Sequence, residues 1–307
     1  MEDLLLKRRA IELGQLEAWL GRGRGSFHFE NSQLFKRFVE RSLSLAGLVE
    51  RGERNALSPV LQTVSFSFPD LPSSFDGFRV LHLSDIHADG LKGLAETIAN
   101  TLNTLSVDLC VLTGDYRFEI YGPCHNVYFN LEKILGAIKS RHGIYGILGN
   151  HDFMEEADAM EKMGVKMLIN RSAEVKQDDQ SIWLTGVDDP HYYGCDDLEG
   201  ALQGVPGDAF KILLVHTPEI IREAATAGIK LYLCGHTHGG QICLPFLGPI
   251  LTNANCPRRF TRGEWLFNEM KGYTSAGVGS SGVAVRFNCR PEITIVELKR
   301  RESGRKS

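Results

Sequence analysis

The stretch RVLHLSDIH, residues 79–87, joins a short apolar run to the triplet Asp85-Ile86-His87. Four more apolar runs in the chain stop at polar residues of the same kinds. They are VDLCVL (107–112) before Gly114-Asp115, GIYGIL (143–148) before Gly149-Asn150-His151-Asp152, FKILLVH (210–216) ending at His216, and KLYLCG (230–235) before His236-Thr237-His238. Ligands of α/β sheets bind where strands end, because the loops there bring together residues that are distant in sequence. We therefore expect these five strand ends to form one site.

The residues at these strand ends are of metal-binding types. Taken alone, an Asp-x-His triplet is typical of a surface turn, and His216 alone is typical of a satisfied core residue. Together, however, the clusters use five of the ten histidines of the chain. Imidazole and carboxylate together suit manganese, iron or zinc, whereas all-oxygen ligand sets suit magnesium or calcium. The pattern predicts a metal site.

The secondary-structure pattern is that of an α/β protein. From about residue 60, the apolar runs alternate with stretches of helical spacing, such as residues 91–105 and 218–228. The end of the chain differs, because GYTSAGVG (272–279) and PEITIVEL (291–298) read as strands without a helix between them. We therefore predict mixed sheets rather than purely parallel ones.

Composition excludes some classes of function. The 34 basic and 38 acidic side chains give a net charge of −4, which argues against general binding to the phosphate backbone of nucleic acids. The seven cysteines form no CxxC pair. This usage indicates reduced thiols and a cytosolic setting, rather than a disulfide scaffold or a zinc ribbon.

The first 70 residues are predicted to form a helical N-terminal extension, followed by one domain over residues 71–307. Apolar residues at helical spacing on both sides of GRGRG (21–25) predict two amphipathic helices. Lys36, Arg37 and Arg41 give the second helix a basic face. Two alternatives stay open for it: peripheral contact with an anionic membrane, or docking on the main domain with solvated charges.

The N-terminus does not resemble a targeting segment. Charged residues interrupt its apolar positions, so it lacks the apolar core of a signal peptide. Nor does any stretch reach the roughly 18 apolar residues that a spanning helix needs. We expect a cytoplasmic protein, with peripheral attachment at the inner membrane face as the alternative.

The order of the motifs, DxH, GD, GNHD, H and GHTH, resembles that of the calcineurin-like metallophosphoesterase superfamily. The longer segments GHTHGGQICLP, YTSAGVG and RFNCRPEITIVEL are similar to a bacterial phosphodiesterase-like branch that is often membrane-associated. The resemblance covers about residues 75–299. It implies a four-layer α/β/β/α sandwich with two mixed sheets face to face and helices outside.

The resemblance also implies two divalent metal ions and assigns their ligands. Asp85, His87 and His238 would hold one ion, Asn150, His216 and His236 the other, and Asp115 would bridge them. A carboxylate between two close cations offsets their repulsion, and a water held there loses a proton near neutral pH. That hydroxide would attack phosphorus. The residue types do not decide among manganese, iron and zinc.

Two further catalytic residues follow from the resemblance. His151 would stabilise a phosphoryl oxygen or protonate the leaving group, and Asp152 would orient its imidazole. For Asp152, the cap of a following helix is a second interpretation.

The implied function is hydrolysis of a phosphodiester or pyrophosphate bond in a small-molecule, nucleotide-linked or lipid substrate. One alternative is a UDP-diacylglucosamine pyrophosphatase of lipid A synthesis; for the two N-terminal helices, serving such a lipid substrate and serving packing are equal alternatives. A non-catalytic protein-binding scaffold is the other alternative, but scaffolds of this fold replace the catalytic histidine that is present here as His151.

Three other features lie outside the metal-binding motifs or beside them. The run GVGSSG (277–282) matches GxGxxG, but VAVRF after it predicts a strand where a dinucleotide fold needs a helix. Arg117 and Arg258-Arg259 are candidates for phosphate contacts, with solvated surface as the alternative. His191 lies in a loop for which substrate contact is one alternative.

Overall fold

A computed structural model describes residues 2–19, 33–120, 122 and 124–301 of the protein. The GRGRG segment (21–25) lies outside the described residues. Within them the helices are α1 (Glu2–Trp19), α2 (Gln33–Leu45), α3 (Val49–Ala56), α4 (Leu94–Leu102), α5 (His125–Gly136), α6 (Met154–Lys162), α7 (Leu198–Ala201) and α8 (Ile221–Thr226). The strands are β1 (Val60–Phe68), β2 (Arg79–Leu83), β3 (Leu109–Leu112), β4 (Ile144–Gly146), β5 (Val165–Met167), β6 (Arg171–Gln177), β7 (Gln180–Gly186), β8 (Lys211–Leu214), β9 (Leu231–Cys234), β10 (Cys243–Leu244), β11 (Gly248–Pro249), β12 (Gly263–Phe267), β13 (Met270–Thr274) and β14 (Glu292–Arg300).

Twelve of these strands form two mixed sheets. The first sheet has the order β1-β14-β2-β3-β4-β5, in which β14 runs antiparallel to β2 and the other neighbours are parallel. The second has the order β12-β13-β9-β8-β7-β6, with antiparallel pairs at its two ends and parallel pairs between them. Strands β10 and β11 form a separate antiparallel hairpin.

The two sheets pack face to face, with helices outside each. Successive residues of a strand point to opposite faces of its sheet. In β3, Leu109 and Val111 point into the core between the sheets, whereas Cys110 and Leu112 point into the core beneath α4, α5 and α6. A third core lies between the second sheet and α7 and α8. The predicted four-layer α/β/β/α sandwich with two mixed sheets is confirmed.

The N-terminal 70 residues are not only helical. Strand β1 pairs along its whole length with β14, so Val60 to Phe68 belong to the edge of the first sheet. The alternation of apolar runs and helical stretches predicted strands from about residue 60. The pairing of β1, however, depends on a partner strand more than 200 residues away. The division of the chain at residue 70 stays a prediction.

Helices α1 and α2 both contact the main body. Helix α1 inserts Arg8, which is completely buried, and Lys7 donates to the Gly194 carbonyl oxygen. On α2, Lys36 forms an ion pair with Glu119. These contacts agree with the docking alternative for the N-terminal helices.

Candidate metal centre

The predicted site residues converge at one end of the sandwich. They follow strands β2, β3, β4, β8 and β9, which run in parallel within their own sheets, so their carboxyl ends lie along the same edge. All of them are buried: Asp85, His87, Asp115, Asn150, His151, Asp152, His216, His236 and His238.

Potential ligand atoms within 4.8 Å of one another form three overlapping groups in this region: Asp85, His87 and His238; His87, Asp115 and His151; and Asp115, His216 and His236. Asn150 joins the third group, since its Oδ1 lies 2.9 Å from His216 Nε2 and 2.8 Å from His236 Nδ1. Asp115 Oδ2 lies 3.4 Å from His216 Nε2 and 3.7 Å from His87 Nε2. Asp115 therefore lies between the two predicted ligand sets.

Main-chain carbonyls orient three of the imidazoles. Nδ1 of His87 lies 2.6 Å from the carbonyl oxygen of Arg117, Nδ1 of His216 lies 2.7 Å from that of Thr113, and Nε2 of His236 lies 2.9 Å from that of Asn253. A carbonyl only accepts, so each of these nitrogens donates. In the neutral rings of His87 and His236 the other nitrogen is left with a lone pair that faces the neighbouring predicted ligands. Such outer contacts are typical of metal-binding histidines.

His238 has a different partner. The guanidinium of Arg286 lies 3.1 Å from its Nδ1, and a guanidinium only donates, so this nitrogen accepts. Arg286 is fully buried and also donates to the carbonyl oxygens of His238 and Ala276, at 2.9 and 2.8 Å. Burial, and then the charge of Arg286, hold the pKa of His238 well below its ordinary value, so its ring is neutral.

Backbone strain is concentrated at the site. Five of the seven predicted ligands have positive φ angles: Asp85 (52°), His87 (42°), Asp115 (58°), His236 (70°) and His238 (50°). Such conformations are uncommon outside glycine, and each costs about 1 to 3 kcal/mol. The surrounding structure must stabilise them, and strain of this kind clusters at functional sites.

Two glycines allow the close packing around these residues. A Cβ on Gly149 would lie 2.3 Å from Oδ1 of Asp115 and 2.9 Å from Cε1 of His216. A Cβ on Gly279 would lie 2.4 Å from the carbonyl oxygen of Ile86. The run GVGSSG thus packs against the first motif. The strand predicted for VAVRF after it is wrong, because these residues form a loop with one bridge, from Phe287 to Ile242.

The site holds buried negative charge that requires a positive partner. Burial raises the pKa of Asp85 to about 6, with Asp115 adding to the effect. Burial would also raise the pKa of Asp115, but the facing imidazole of His216 holds it well below its usual range. Burial would lower the pKa of His216, and Asp115 instead raises it to about 10. The Asp115–His216 pair therefore holds a proton, which a bound cation would displace.

His151 and Asp152 lie beside these ligands, but they do not act on one another as predicted. Nδ1 of His151 donates to the Phe118 carbonyl oxygen at 2.7 Å. The Asp152 carboxylate instead accepts from the main-chain N–H groups of Asp115, Tyr116 and Gly149, each at 2.8 Å. The prediction that Asp152 orients the His151 imidazole is wrong, because the carboxylate is occupied in holding two ligand loops together. Helix α6 is capped at Phe153, so the capping interpretation is also wrong.

Arg117 and the loop of His191 were two of the other candidate contacts of the site. Arg117 is buried and forms an ion pair with Glu156 at 3.0 Å, so it is not a solvated surface residue. The loop of His191 does reach the site, with its ring centroid 4.6 Å from that of His236. Sequence reasoning missed Arg286, although it lies inside the quoted segment RFNCRPEITIVEL, and it missed Arg8, for which the N-terminal pattern carries no signal.

A family model described as calcineurin-like phosphoesterase matches residues 78–240, just over half of the chain. The chain belongs to the calcineurin-like phosphoesterase family. The matched range contains every predicted ligand together with His151 and Asp152. The predictions of this superfamily and of a metal-dependent phosphoester hydrolase are confirmed, and the bacterial branch stays a prediction.

Three proteins of known sequence are similar to this phosphoesterase over most of its length. The uncharacterized metallophosphoesterase YkuE of Bacillus subtilis is 32% identical over 240 residues, covering 75% of this chain and 82% of that protein. The transmembrane protein with metallophosphoesterase domain of Bos taurus is 30% identical over 282 residues, covering 85% of this chain and 61% of that protein. Phosphodiesterase YaeI of Escherichia coli is 27% identical over 231 residues, covering 72% and 82%.

The phosphoesterase thus spans about three fifths of the bovine relative's length. Among its own described helices, none combines the length and the apolar composition needed to cross a membrane.

Proposed function

We propose that this phosphoesterase is a dinuclear metal-dependent hydrolase of phosphodiester or pyrophosphate bonds. The position of Asp115 carries the proposal: its carboxylate lies between one ligand set made of Asp85, His87 and His238 and another made of Asn150, His216 and His236. An anionic group between two donor sets is what a pair of close cations requires.

The donor set fits manganese, iron or zinc. It combines imidazole, carboxylate and one neutral amide, which are ligands that these metals accept. His216 Nε2 and His236 Nδ1 lie 2.9 and 2.8 Å from Asn150 Oδ1, and a cation bound among these atoms would replace the proton that His216 shares with Asp115. When bound, the ions would supply Lewis-acid stabilisation of phosphoryl charge and a water of lowered pKa.

The remaining chemistry belongs to His151. Its Nδ1 proton is committed to the Phe118 carbonyl oxygen, so Nε2 is the nitrogen that faces substrate, and it donates to a phosphoryl oxygen or to a leaving group when the ring is the doubly protonated imidazolium. Asp152 positions main chain rather than protons, since it ties the loops that carry Asp115 and Asn150.

A phosphodiester substrate agrees with the name of the YaeI relative. A pyrophosphate with acyl chains, as in the UDP-diacylglucosamine pyrophosphatase alternative, is also compatible with this site, because both substrates place one phosphoryl group between the ligand sets. The intact ligand set and His151 disfavour the scaffold alternative.

Metal loading and removal test the proposed function directly. We expect protein loaded with manganese to bind two ions per chain and to hydrolyse bis(p-nitrophenyl) phosphate faster than p-nitrophenyl phosphate. Chelation should abolish both activities, and readdition of manganese should restore them. Two bound ions without cleavage of either compound would contradict the proposal. That result would favour the non-catalytic scaffold alternative instead.

Substitution of His151 by alanine should lower kcat by about 10²-fold, the lower end of the contribution of general acid catalysis. Metal content should stay at two ions per chain, because this ring donates Nδ1 to main chain and is not among the predicted ligands. The exposed His125 on α5 supplies the matched control, and His125→Ala should leave kcat unchanged. Equal turnover of His151→Ala and the control would refute the role.

A further inference from the structure

We propose that the hairpin of residues 242–251 inserts into an anionic lipid surface, so that the metal centre acts on phosphodiesters presented by that surface. The inference rests on the proposed function and specifies its substrate class. It assigns the lipid contact to a hairpin of the catalytic domain, whereas the N-terminal helices were the segment predicted for such a contact.

The hairpin exposes an unusual concentration of large apolar side chains. Strands β10 and β11 hold a turn in which Phe246 has a φ of 66° and is fully exposed. Five large apolar residues along these ten positions are at least two fifths exposed: Leu244 (45%), Phe246 (108%), Leu247 (74%), Ile250 (55%) and Leu251 (41%). Single exposed apolar residues are ordinary, but contiguous exposed groups mark interaction surfaces.

The charges around the hairpin favour an anionic lipid over a protein partner. Residues 239–263 contain three arginines and no aspartate or glutamate, and the carboxylates next to this segment are Glu264, which follows it, and Glu219, which accepts from the Asn255 N–H at 2.7 Å. Arg258, Arg259 and Arg262 are all exposed, and Arg258 donates to the Pro249 carbonyl oxygen at 3.1 Å. An apolar tip with arginines at its base matches the order of a bilayer, in which acyl chains lie below anionic headgroups.

The base of the hairpin is firmly attached. The side-chain amide of Asn288 donates to the Cys243 carbonyl oxygen at 2.7 Å, and the Cys243 N–H donates to the Phe287 carbonyl oxygen at 2.9 Å. Insertion of the tip would therefore carry the rest of the domain with it.

The hairpin is also continuous with the metal centre. It begins four residues after His238, and the Asn253 carbonyl beyond its second strand accepts from His236 Nε2. A Cβ on Gly240 would lie 2.1 Å from Cβ of Pro249, so the short 3-10 turn His238–Gly240, which carries the last predicted ligand, packs directly on the hairpin. A tip inserted among acyl chains would bring the predicted ligands to the level of the headgroup phosphates.

The test uses the full-length, manganese-loaded protein and the double substitution Phe246→Ser/Leu247→Ser. The matched control is Leu61→Ser/Phe129→Ser, which removes the same two residue types, 47% and 59% exposed, from β1 of the first sheet and from α5, which packs on that sheet. Binding is measured by co-sedimentation with vesicles of phosphatidylcholine and phosphatidylglycerol in equal parts, and with phosphatidylcholine alone. We expect the wild type and the control to bind the anionic vesicles, and the hairpin variant to bind at least tenfold more weakly.

Two substrates with the same leaving group separate the inference from the proposed function. One is soluble bis(p-nitrophenyl) phosphate, and the other is the p-nitrophenyl ester of phosphatidic acid in the same vesicles. In each, water adds to phosphorus and the bond to p-nitrophenolate breaks. We expect the hairpin variant to hydrolyse the soluble diester at the wild-type rate and the lipid diester at least tenfold more slowly.

Each result has one meaning. Equal vesicle binding by the wild type and the hairpin variant, or no binding by either, would overturn the lipid inference while soluble hydrolysis still upheld the proposed function. Loss of lipid hydrolysis in the Leu61→Ser/Phe129→Ser control as well would also overturn it. Hairpin-dependent vesicle binding without hydrolysis of either diester would instead contradict the proposed function.

Discussion

Substitution of Asp115 by asparagine should lower kcat for bis(p-nitrophenyl) phosphate by about 10⁴-fold, equivalent to roughly 5.5 kcal/mol of transition-state stabilisation. The amide has nearly the same shape as the carboxylate, so the fold should persist. What is lost is the negative charge between the two predicted ligand sets, where Oδ2 faces His216 and His87. We expect metal content to fall below two ions per chain, as measured by elemental analysis after gel filtration.

Asp108 provides the control for this substitution. It lies just before β3, the strand whose other end leads to Asp115, and its carboxylate accepts from the Arg79 N–H at 2.8 Å. Asp108→Asn should retain two ions and wild-type kcat. Asp115→Asn with two bound ions and activity within tenfold of the wild type would contradict the bridging role.

Substitution of Arg8 by methionine should lower the free energy of unfolding by about 3 to 5 kcal/mol, the usual effect of leaving one partner of a buried ion pair alone. The guanidinium forms an ion pair with buried Asp188, donates to the Asp152 carbonyl oxygen at 2.6 Å and lies 3.8 Å above the Tyr193 ring. Burial would lower the pKa of Arg8, but the charge of Asp188 raises it above the ordinary value. Methionine would leave the Asp188 carboxyl buried without its partner, and because burial already raises its pKa to about 6, it would have to take up a proton or remain as an unpaired buried charge. Urea unfolding, followed by the fluorescence of the three tryptophans, measures the loss.

Two further variants make this prediction specific. Arg9→Met removes an exposed charge from the same helix and should change stability by no more than about 0.5 kcal/mol. Arg8→Met/Asp188→Asn removes both buried charges and should be at least about 1 kcal/mol more stable than the sum of the single effects predicts. Strict additivity, or a loss below about 1 kcal/mol in Arg8→Met, would show that the ion pair does not stabilise the docked helix.

The strand-end clusters were predictable because their information is local. A run such as RVLHL followed by Asp85 and His87 specifies both a buried strand and the residues at its end. The antiparallel edge was harder to predict: β6 (RSAEVKQ) has only one buried residue, so it lacks the apolar run that identifies a central strand. Its backbone hydrogen bonds to β7 make it a strand, although its composition does not predict one.

The partner of a polar side chain was the least predictable feature. Asp152 follows His151 directly, which suggested a contact between them, but its carboxylate is turned toward the N–H groups of Asp115 and Tyr116. Likewise, Arg286 donates to His238 from a loop 48 residues further along the chain. Such partners depend on which main-chain groups approach a side chain when separate elements pack.

The sequence by itself determined the family, the alternation of strands and helices, and the set of residues that could bind metal, because motif spacing and apolar periodicity are properties of neighbouring residues. Only the tertiary structure decided that Asp115 lies between the two predicted ligand sets, that carbonyls orient three of the histidines, that Arg8 is buried and that five large apolar side chains of residues 242–251 are exposed. Each of these depends on the approach of chain segments far apart in sequence, since burial and hydrogen bonding are set by packing rather than by residue type.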